Sequence, residues 1–170
     1  MNKGIICGRG GQGIITVNRM LGEIASKLGL GAISAETHGM AMRGGSVATF
    51  IKIGKFNSPS IETGDADFMI ATDLVEAQRN VPGCAQGALC IVDSPRKVNF
   101  DGMEVFAIDA SAIALKEFKS EIAAGSILLG AFLAHNTKIF DRTKIVSIIN
   151  EIFPKAAKAV ARGYDEVSHE

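Results

Sequence analysis

Apolar residues along the chain alternate between short continuous runs and stretches with helical spacing. Residues 3–7 predict a buried strand, and apolar residues at helical spacing from Ile14 to Leu28 then predict a helix that Gly29 ends. Further strands are predicted over 32–35, 46–53, 67–73, 88–93 and 105–108. Helices are predicted over 74–79, over 112–118 and from 122 nearly to the end, with a break at 140–142 and with Pro154 in the first turn of the last helix.

This alternation of strands and helices predicts an α/β fold. Such a fold has a mostly parallel sheet with helices on both faces. Aromatic residues make up only 6% of the chain and glycines number 19, so the core must consist of small and aliphatic side chains. The length of 170 residues fits one domain with its own core.

Charge and cysteine usage exclude several classes of protein. Lys plus Arg and Asp plus Glu both total 18, so no surplus positive charge favours a nucleic acid or an anionic membrane as partner. No run of 18 uncharged apolar residues is present, and a membrane span is therefore not expected. The three cysteines form no C-x-x-C pair, which argues against a cluster or metal site on this chain and for a reducing cytoplasm.

The segment Gly8-Arg-Gly-Gly-Gln-Gly joins the first predicted strand to the first predicted helix. Gly8, Gly10 and Gly13 match G-x-G-x-x-G, in which glycines allow a tight turn and let an anion approach backbone N–H groups. A dinucleotide site also needs an acidic residue at the tip of the second strand, and Glu36 lies near that position. Three interpretations stay open: a dinucleotide site, close packing of helix on strand, and a phosphate or a partner's polar backbone facing the loop.

A second motif, Glu36-Thr-His-Gly-Met-Ala-Met-Arg-Gly-Gly-Ser-Val, lies between two predicted strands. It concentrates a carboxylate, a hydroxyl, an imidazole, a guanidinium and three glycines within ten residues. Loops at the carboxyl ends of strands form the ligand crevice of an open α/β sheet, so this loop and the 8–13 loop are predicted to meet. The structural alternatives are a hydrogen-bonded His38, and an ion pair between Glu36 and Arg43 that shapes the loop.

Together with Asp67-Phe-Met-Ile-Ala-Thr-Asp, these motifs resemble the gamma subunit of pyruvate and other 2-oxoacid ferredoxin oxidoreductases. The resemblance runs from residue 4 to about 165 and includes the closing Arg162-Gly-Tyr. The His-Gly-Met before Arg-Gly-Gly looks most like the small subunit, called beta, of indolepyruvate oxidoreductase. The resemblance implies a Rossmann-like three-layer sandwich, with residues 1–170 forming a single gamma-type domain.

The resemblance further implies a role in an enzyme that oxidatively decarboxylates a 2-oxoacid such as indolepyruvate, pyruvate or 2-oxoglutarate and passes electrons to ferredoxin. The partners are then subunits that bind thiamine diphosphate and [4Fe–4S] clusters, and most such complexes also use coenzyme A. This chain alone is expected to hold no cofactor and to be inactive. A homodimer of the isolated chain stays open.

Residue roles also follow from the resemblance. Supporting catalytic roles are expected for Glu36, His38 and Arg43, with the arginine positioning a carboxylate or phosphate. Cofactor contacts are expected from Gly8, Gly10, Gly11, Gln12, Gly13, Thr37, Gly44 and Gly45. Ser126 departs from the family, whose pattern has Asn in that helix. The alternatives are an NAD-linked dehydrogenase that uses the 8–13 loop and a non-catalytic scaffold module.

Overall fold

The computed structural model of the protein describes residues 2–37, 44–137 and 140–168. Its centre is a six-stranded sheet with the strand order β2-β3-β1-β4-β5-β6. The strands are β1 (Lys3–Arg9), β2 (Ala32–Thr37), β3 (Ser46–Ile53), β4 (Ala66–Ala71), β5 (Cys84–Asp93) and β6 (Met103–Ile108). Five of them run in one direction, whereas β3 is antiparallel to both of its neighbours. The predicted α/β fold with a mostly parallel sheet is confirmed.

In the described ranges, six α-helices connect and cover these strands. They are α1 (Ile14–Lys27), α2 (Leu74–Asn80), α3 (Ala110–Ile113), α4 (Ala123–Ala134), α5 (Arg142–Ile152) and α6 (Ala157–Ser168). A 3-10 turn follows α2 over Val81–Gly83, and α3 continues as a π-helical turn over Ala114–Phe118. The prediction that placed Pro154 in the first turn of the last helix is wrong. The proline lies in a turn closed by the Ala156 N–H, which donates to the Phe153 carbonyl at 2.8 Å, and α6 begins only after that turn.

The first helix ends where the sequence predicts. The N–H of Gly29 donates to the Ser26 carbonyl at 3.0 Å, and the N–H of Leu30 donates to the Ala25 carbonyl at 2.9 Å. This pair of bonds needs a left-handed residue between them, and Gly29 has φ 76°. The chain therefore reverses here and leads directly into β2.

The two faces of the sheet carry different coverings. On one face, α1 and α4 cover side chains from the central strands, among them Ile6, Phe68, Ile70, Leu89 and Ile91. On the other face, the short α2 packs against β1, β4 and β5, over Ile5, Cys7, Met69, Cys90 and Val92. Helix α6 packs on α4, outside the sheet. The predicted three-layer arrangement with helices on both faces is thus confirmed.

Helix α4 is the most deeply buried helix of the described chain. Every residue from 124 to 134 is buried, so this helix has no polar face. It lies against the sheet on one side and against α6 on the other, where the two backbones come into direct contact. A Cβ atom on Gly130 would stand 2.0 Å from the Val160 carbonyl oxygen, and one on Gly163 would stand 1.8 Å from the Ile127 carbonyl oxygen. Only glycine fits at this crossing.

We predict that Gly130→Ala and Gly163→Ala each lower the free energy of unfolding by about 3 kcal/mol, because the new methyl group forces the two helices apart. Urea unfolding measures the change. Gly22→Ala in α1 is the matched control, since its Cβ would meet only the Ile51 Cδ1 atom at 3.9 Å. This control should stabilise the helix by about 0.5–1 kcal/mol. Equal stability of all three variants would contradict the backbone contact.

Candidate ligand site at the carboxyl edge of the sheet

The connections after β1 and β4 leave the sheet on opposite faces. These two strands are parallel neighbours, with Gly4 opposite Phe68 and Cys7 opposite Ala71. Helix α1 follows β1 on one face, and α2 follows β4 on the other. In open α/β sheets a crevice for ligands forms at the carboxyl ends of two such strands. The 8–13 loop lies at this point, as the sequence analysis predicts.

The 8–13 loop is closed by the side-chain amide of Gln12. Its Oε1 atom accepts hydrogen bonds from the Arg9 N–H at 2.7 Å and from the Thr72 hydroxyl at 2.8 Å. A Cβ atom on Gly8 would stand 2.0 Å from the Thr72 Oγ1 atom, so this position has no room for a side chain. Gln12 therefore joins the ends of β1 and β4, and Gly8 lets them approach.

The two glycine motifs meet, as predicted. The Gly10 N–H donates to the Gly45 carbonyl at 2.8 Å, and the Gly44 N–H donates to the Gly10 carbonyl at 3.2 Å. These bonds extend the antiparallel ladder in which Arg9 pairs with Ser46. The antiparallel direction of β3 thus brings the end of the second motif beside the first.

The structure describes the second motif only in part. His38 and Arg43 lie outside the described residues. The backbone of Glu36 and Thr37 forms the end of β2, opposite Thr49 and Ala48 of β3. The supporting roles expected for this motif's side chains therefore stay predictions.

Two helix N-termini lie side by side at the crevice. Gly13 is the N-cap of α1 and Ile122 is the N-cap of α4, and a Cβ atom on Gly13 would stand 3.2 Å from the Ile122 Cγ2 atom. Neither helix has a side-chain cap or an acidic residue in its first turn. Among the described residues no acceptor binds the N–H groups of Gly11 and Gly13. Free amides and positive helix ends favour an anion here.

A cavity of about 660 Å³ opens at these N-termini. It is lined by Gly10, Gly11, Gln12, Thr72, Ser111, Leu115, Ser120, Glu121, Ile122 and Ala124. A second, more apolar cavity of about 650 Å³ shares Ser120 and Ile122 with it and continues towards Phe153 and Ala156. Ser126, the position that departs from the family pattern, lines this second cavity. The two volumes together can hold an elongated ligand with a polar and an apolar part.

Acidic residues of α2 stabilise the loops around the crevice. Asp73 caps α2 by accepting from the N–H groups of Val75 and Glu76, and it pairs with the Arg9 Nε atom at 2.8 Å. The buried carboxylate of Glu76 accepts from the Ser46 hydroxyl at 2.5 Å and from the Arg79 guanidinium at 2.6 Å. Glu76 thereby holds the start of β3, next to Gly44 and Gly45.

Sequence reasoning missed several residues of this site. Asp73-x-x-Glu76 has the spacing of a capping box, and this signal would have marked the start of α2. The capping-box spacing does not indicate that the Glu76 carboxylate accepts a hydrogen bond from Ser46. Thr72 lies within the predicted strand 67–73 and Ser111 directly precedes the predicted helix 112–118, and both line the cavity.

The position of Glu36 argues against a dinucleotide site. In a dinucleotide-binding fold the acidic residue ends the strand directly beside β1, where it reaches the ribose. Here β3 lies between β1 and β2, so the end of β2 is two strand spacings, roughly 10 Å, from β1. The glycine motif is thus present, but Glu36 does not end a strand directly beside β1.

The three cysteines are unsuited to nucleophilic chemistry. Burial raises the pKa of the Cys84 thiol to about 11, and burial is also the main cause of the raised pKa values of Cys7 and Cys90. The thiolate is the reactive form of cysteine, and it is disfavoured in all three. Within residues 2–37, 44–137 and 140–168, no group of three His, Cys, Asp or Glu side chains is placed to hold a metal ion. No helix in that part of the chain is long and apolar enough to cross a membrane.

We predict that Gln12→Ala lowers the free energy of unfolding by about 2 kcal/mol, because the Arg9 N–H and the Thr72 hydroxyl both lose their acceptor. Gln12→Glu keeps an acceptor oxygen and should retain most of the stability. Urea unfolding at pH 7 measures both changes.

The control for Gln12 is Gln78→Ala on the exposed face of α2, which should change the stability by less than about 0.5 kcal/mol. If Gln12→Ala proves as stable as this control, the loop is closed by other contacts. The Gln12 amide would then be available to a ligand.

Comparison with known proteins agrees with the resemblance seen in the sequence. The family described as pyruvate ferredoxin/flavodoxin oxidoreductase matches residues 4–166. The indolepyruvate oxidoreductase subunit IorB of Methanothermobacter thermautotrophicus is 41% identical over 89 residues, which is 52% of this chain and 45% of that protein. The chain thus matches less than half the length of that relative.

Two further proteins match over nearly their whole length. The pyruvate synthase subunit PorC of Methanothermobacter marburgensis is 27% identical over 173 residues, covering 95% of each chain. The structure of a keto/oxoacid ferredoxin oxidoreductase gamma subunit from Geobacter sulfurreducens has a TM-score of 0.80 at 22% identity, with 100% of each chain covered, and shows that the fold is shared. Because the family match covers residues 4–166, this chain belongs to the pyruvate ferredoxin/flavodoxin oxidoreductase family.

Proposed function

We propose that the chain is a subunit of a 2-oxoacid:ferredoxin oxidoreductase complex and that it contributes a ligand site without a redox centre. The observation that carries this proposal is that the 8–13 loop lines the first cavity and is bonded, through Gly10, to Gly44 and Gly45 of the second motif. Relatives that share this family are named as subunits of pyruvate synthase and indolepyruvate oxidoreductase. The substrate is accordingly a 2-oxoacid such as indolepyruvate, pyruvate or 2-oxoglutarate.

Coenzyme A is the ligand that we assign to the two adjoining cavities. Its phosphates suit the free N–H groups of Gly11 and Gly13 and the two helix N-termini. Its long pantetheine arm suits the apolar neighbouring cavity, at whose outer part Lys155 adds a positive charge. The Glu121 carboxylate also lines the first cavity and opposes an anion, so the phosphates belong on the glycine-loop side.

Partner subunits fit the apolar rim of the carboxyl edge. Five large hydrophobic side chains are exposed in the described chain: Ile15, Leu74, Val75, Leu115 and Ile122. Four of them lie at the starts of helices at this edge, and Leu115 lies on the π-helical turn beside it. An apolar rim around a ligand cavity is typical of a surface that another protein covers. We propose that the subunits that bind thiamine diphosphate and [4Fe–4S] clusters cover this apolar rim. Ferredoxin is the proposed electron acceptor of the complex, and the cytoplasm is its proposed location.

Chemical steps in this proposal belong to the cofactors of the partner subunits. This chain supplies binding and orientation: Gly11 and Gly13 through their N–H groups, and Arg43 through a fork of donors for a carboxylate or phosphate. Glu36 and His38 orient that arginine or support the partner's cofactor. The remaining glycines, Gly8, Gly10, Gly44 and Gly45, keep the backbone close to the ligand.

The stand-alone NAD-linked dehydrogenase is the weaker candidate. It depends on the 8–13 loop alone, and the strand order moves Glu36 away from the position that would bind a ribose. The family match favours the subunit role.

We expect turnover only when the chain is assembled with its thiamine-diphosphate-binding and iron–sulfur partners, because the proposed role of this chain is binding and orientation. Co-expression, anaerobic purification and viologen reduction with indolepyruvate, pyruvate and 2-oxoglutarate in parallel measure this and identify the oxoacid. The chain alone and the partners alone are the controls. Full activity of the partners without this chain, or no association with them, would contradict the proposal.

We further expect Arg43→Ala to raise the KM for coenzyme A or for the oxoacid by at least roughly tenfold in the assembled complex, because a charge-assisted hydrogen bond to an anion is lost. Arg43→Lys keeps the charge without the fork of donors, and its KM should lie between those of the wild type and of Arg43→Ala. The exposed Arg96→Ala is the control. An Arg43→Ala complex with unchanged KM values for both would show that the arginine shapes the loop only.

A further inference from the structure

The segment between β6 and α4 forms one wall of the first cavity, which the 8–13 loop also lines, and has an irregular backbone. Helix α3 lasts for four residues and continues as the π-helical turn Ala114–Phe118. Lys119 then ends the turn with φ 55°, the sole non-glycine residue with a positive φ in the described chain. Such departures from regular geometry occur frequently at functional sites. Ser111, Leu115 and Ser120 of this segment line the cavity.

Ser111 is bound twice to the carboxylate of Asp93 at the end of β5. Its N–H donates to the Asp93 Oδ1 atom at 3.1 Å, and its hydroxyl donates to the Oδ2 atom. An ionised carboxylate can only accept hydrogen bonds, so the Ser111 proton must point towards Asp93. Burial raises the pKa of Asp93, and the two bonds from Ser111 act in the opposite direction by favouring the charged form.

Because the Ser111 hydroxyl donates to Asp93, the two sides of the cavity offer different hydrogen-bonding groups. On the loop side, the N–H group of Gly11 offers a donor, and the N-termini of α1 and α4 add the positive ends of their helix dipoles. On the α3 side, the half-buried Ser111 oxygen has its proton turned away and offers lone pairs. A ligand that fits both sides carries an anionic group and, beside it, a hydroxyl or amide N–H.

We infer that Ser111, held by Asp93, is a specificity-determining residue that accepts a hydrogen bond from a hydroxyl or amide donor of the ligand in this cavity. The inference rests on the proposed function in taking the cavity as a ligand site, and it adds the requirement for a donor on the ligand. Asp93 acts through Ser111 and is a positioning residue.

Two probes separate the sides of the cavity. Coenzyme A carries phosphates together with hydroxyl and amide donors, whereas pyrophosphate supplies the anion alone. By titration calorimetry, Ser111→Ala should weaken coenzyme A binding by roughly tenfold and leave pyrophosphate binding unchanged, since one hydrogen bond to the donor is lost. Ser111→Thr keeps the hydroxyl and should restore the affinity. The exposed Ser147→Ala on α5 is the control and should bind both probes like the wild type.

Asp93→Asn tests the direction of the hydroxyl. The carboxamide keeps one acceptor for the Ser111 N–H but presents an N–H group to the hydroxyl, which then turns its proton into the cavity. Coenzyme A binding should weaken at least as much as in Ser111→Ala, while thermal unfolding verifies that the variant is folded. A folded Asp93→Asn variant with wild-type affinity for coenzyme A would overturn the positioning role.

Three results would overturn the inference as a whole: unchanged coenzyme A affinity in Ser111→Ala, an equal loss for both probes, or no coenzyme A binding by the wild-type chain. None of them decides the subunit role, which the turnover of the assembled complex measures separately. Conversely, a complex that turns over with the same KM for coenzyme A in Ser111→Ala confirms the subunit role and refutes the role of Ser111.

Discussion

The site depends on one glutamine oxygen, the Oε1 atom of Gln12, which accepts from both the Arg9 N–H and the Thr72 hydroxyl. These two donors belong to the ends of β1 and β4, so a single side chain ties the glycine loop to both strand ends. The backbone ladder sets the spacing of the strands, and the Thr72 N–H continues it by donating to the Cys7 carbonyl. Gly8 completes the junction because any side chain there would overlap Thr72. The loop is therefore held by the protein's own bonds, and the N–H groups of Gly11 and Gly13 stay available.

The same junction explains why the two family motifs lie side by side. Because β3 runs antiparallel to β1, the chain that leaves the second motif passes directly beside the first, and Gly44 and Gly45 bond to Gly10. The buried Glu76 holds Ser46 at the next position. A carboxylate buried in this way needs its partners, here the Ser46 hydroxyl and the Arg79 guanidinium, and the register of β3 is thereby tied to α2.

Much of the fold could be predicted from sequence because burial leaves a pattern along the chain. The fully apolar α4 and the alternating residues of β3 show this. The glycine-rich turn also predicts the start of α1, where Gly13 has a left-handed backbone with φ 77°. Strand order could not be predicted, since insertion of β3 between β1 and β2 depends on pairing between distant segments. The separation of Glu36 from β1 follows from that order alone. Sequence also gave no sign that the Gln12 amide bonds internally, because the amide has both donors and acceptors that suit a ligand equally well.

The described residues of the carboxyl edge offer groups that suit binding. The three thiols are buried with raised pKa values, and His135 lies at the far end of α4, where its Nδ1 atom is 2.9 Å from the Ala131 carbonyl. The carboxyl edge instead offers backbone donors, two helix ends and hydroxyls whose protons are directed to internal acceptors. The chain has no net charge, so attraction for an anion comes from local dipoles and individual charged side chains and acts only over a short range. In the proposed function these groups select and orient a ligand, at an edge whose exposed apolar side chains suit contact with a partner.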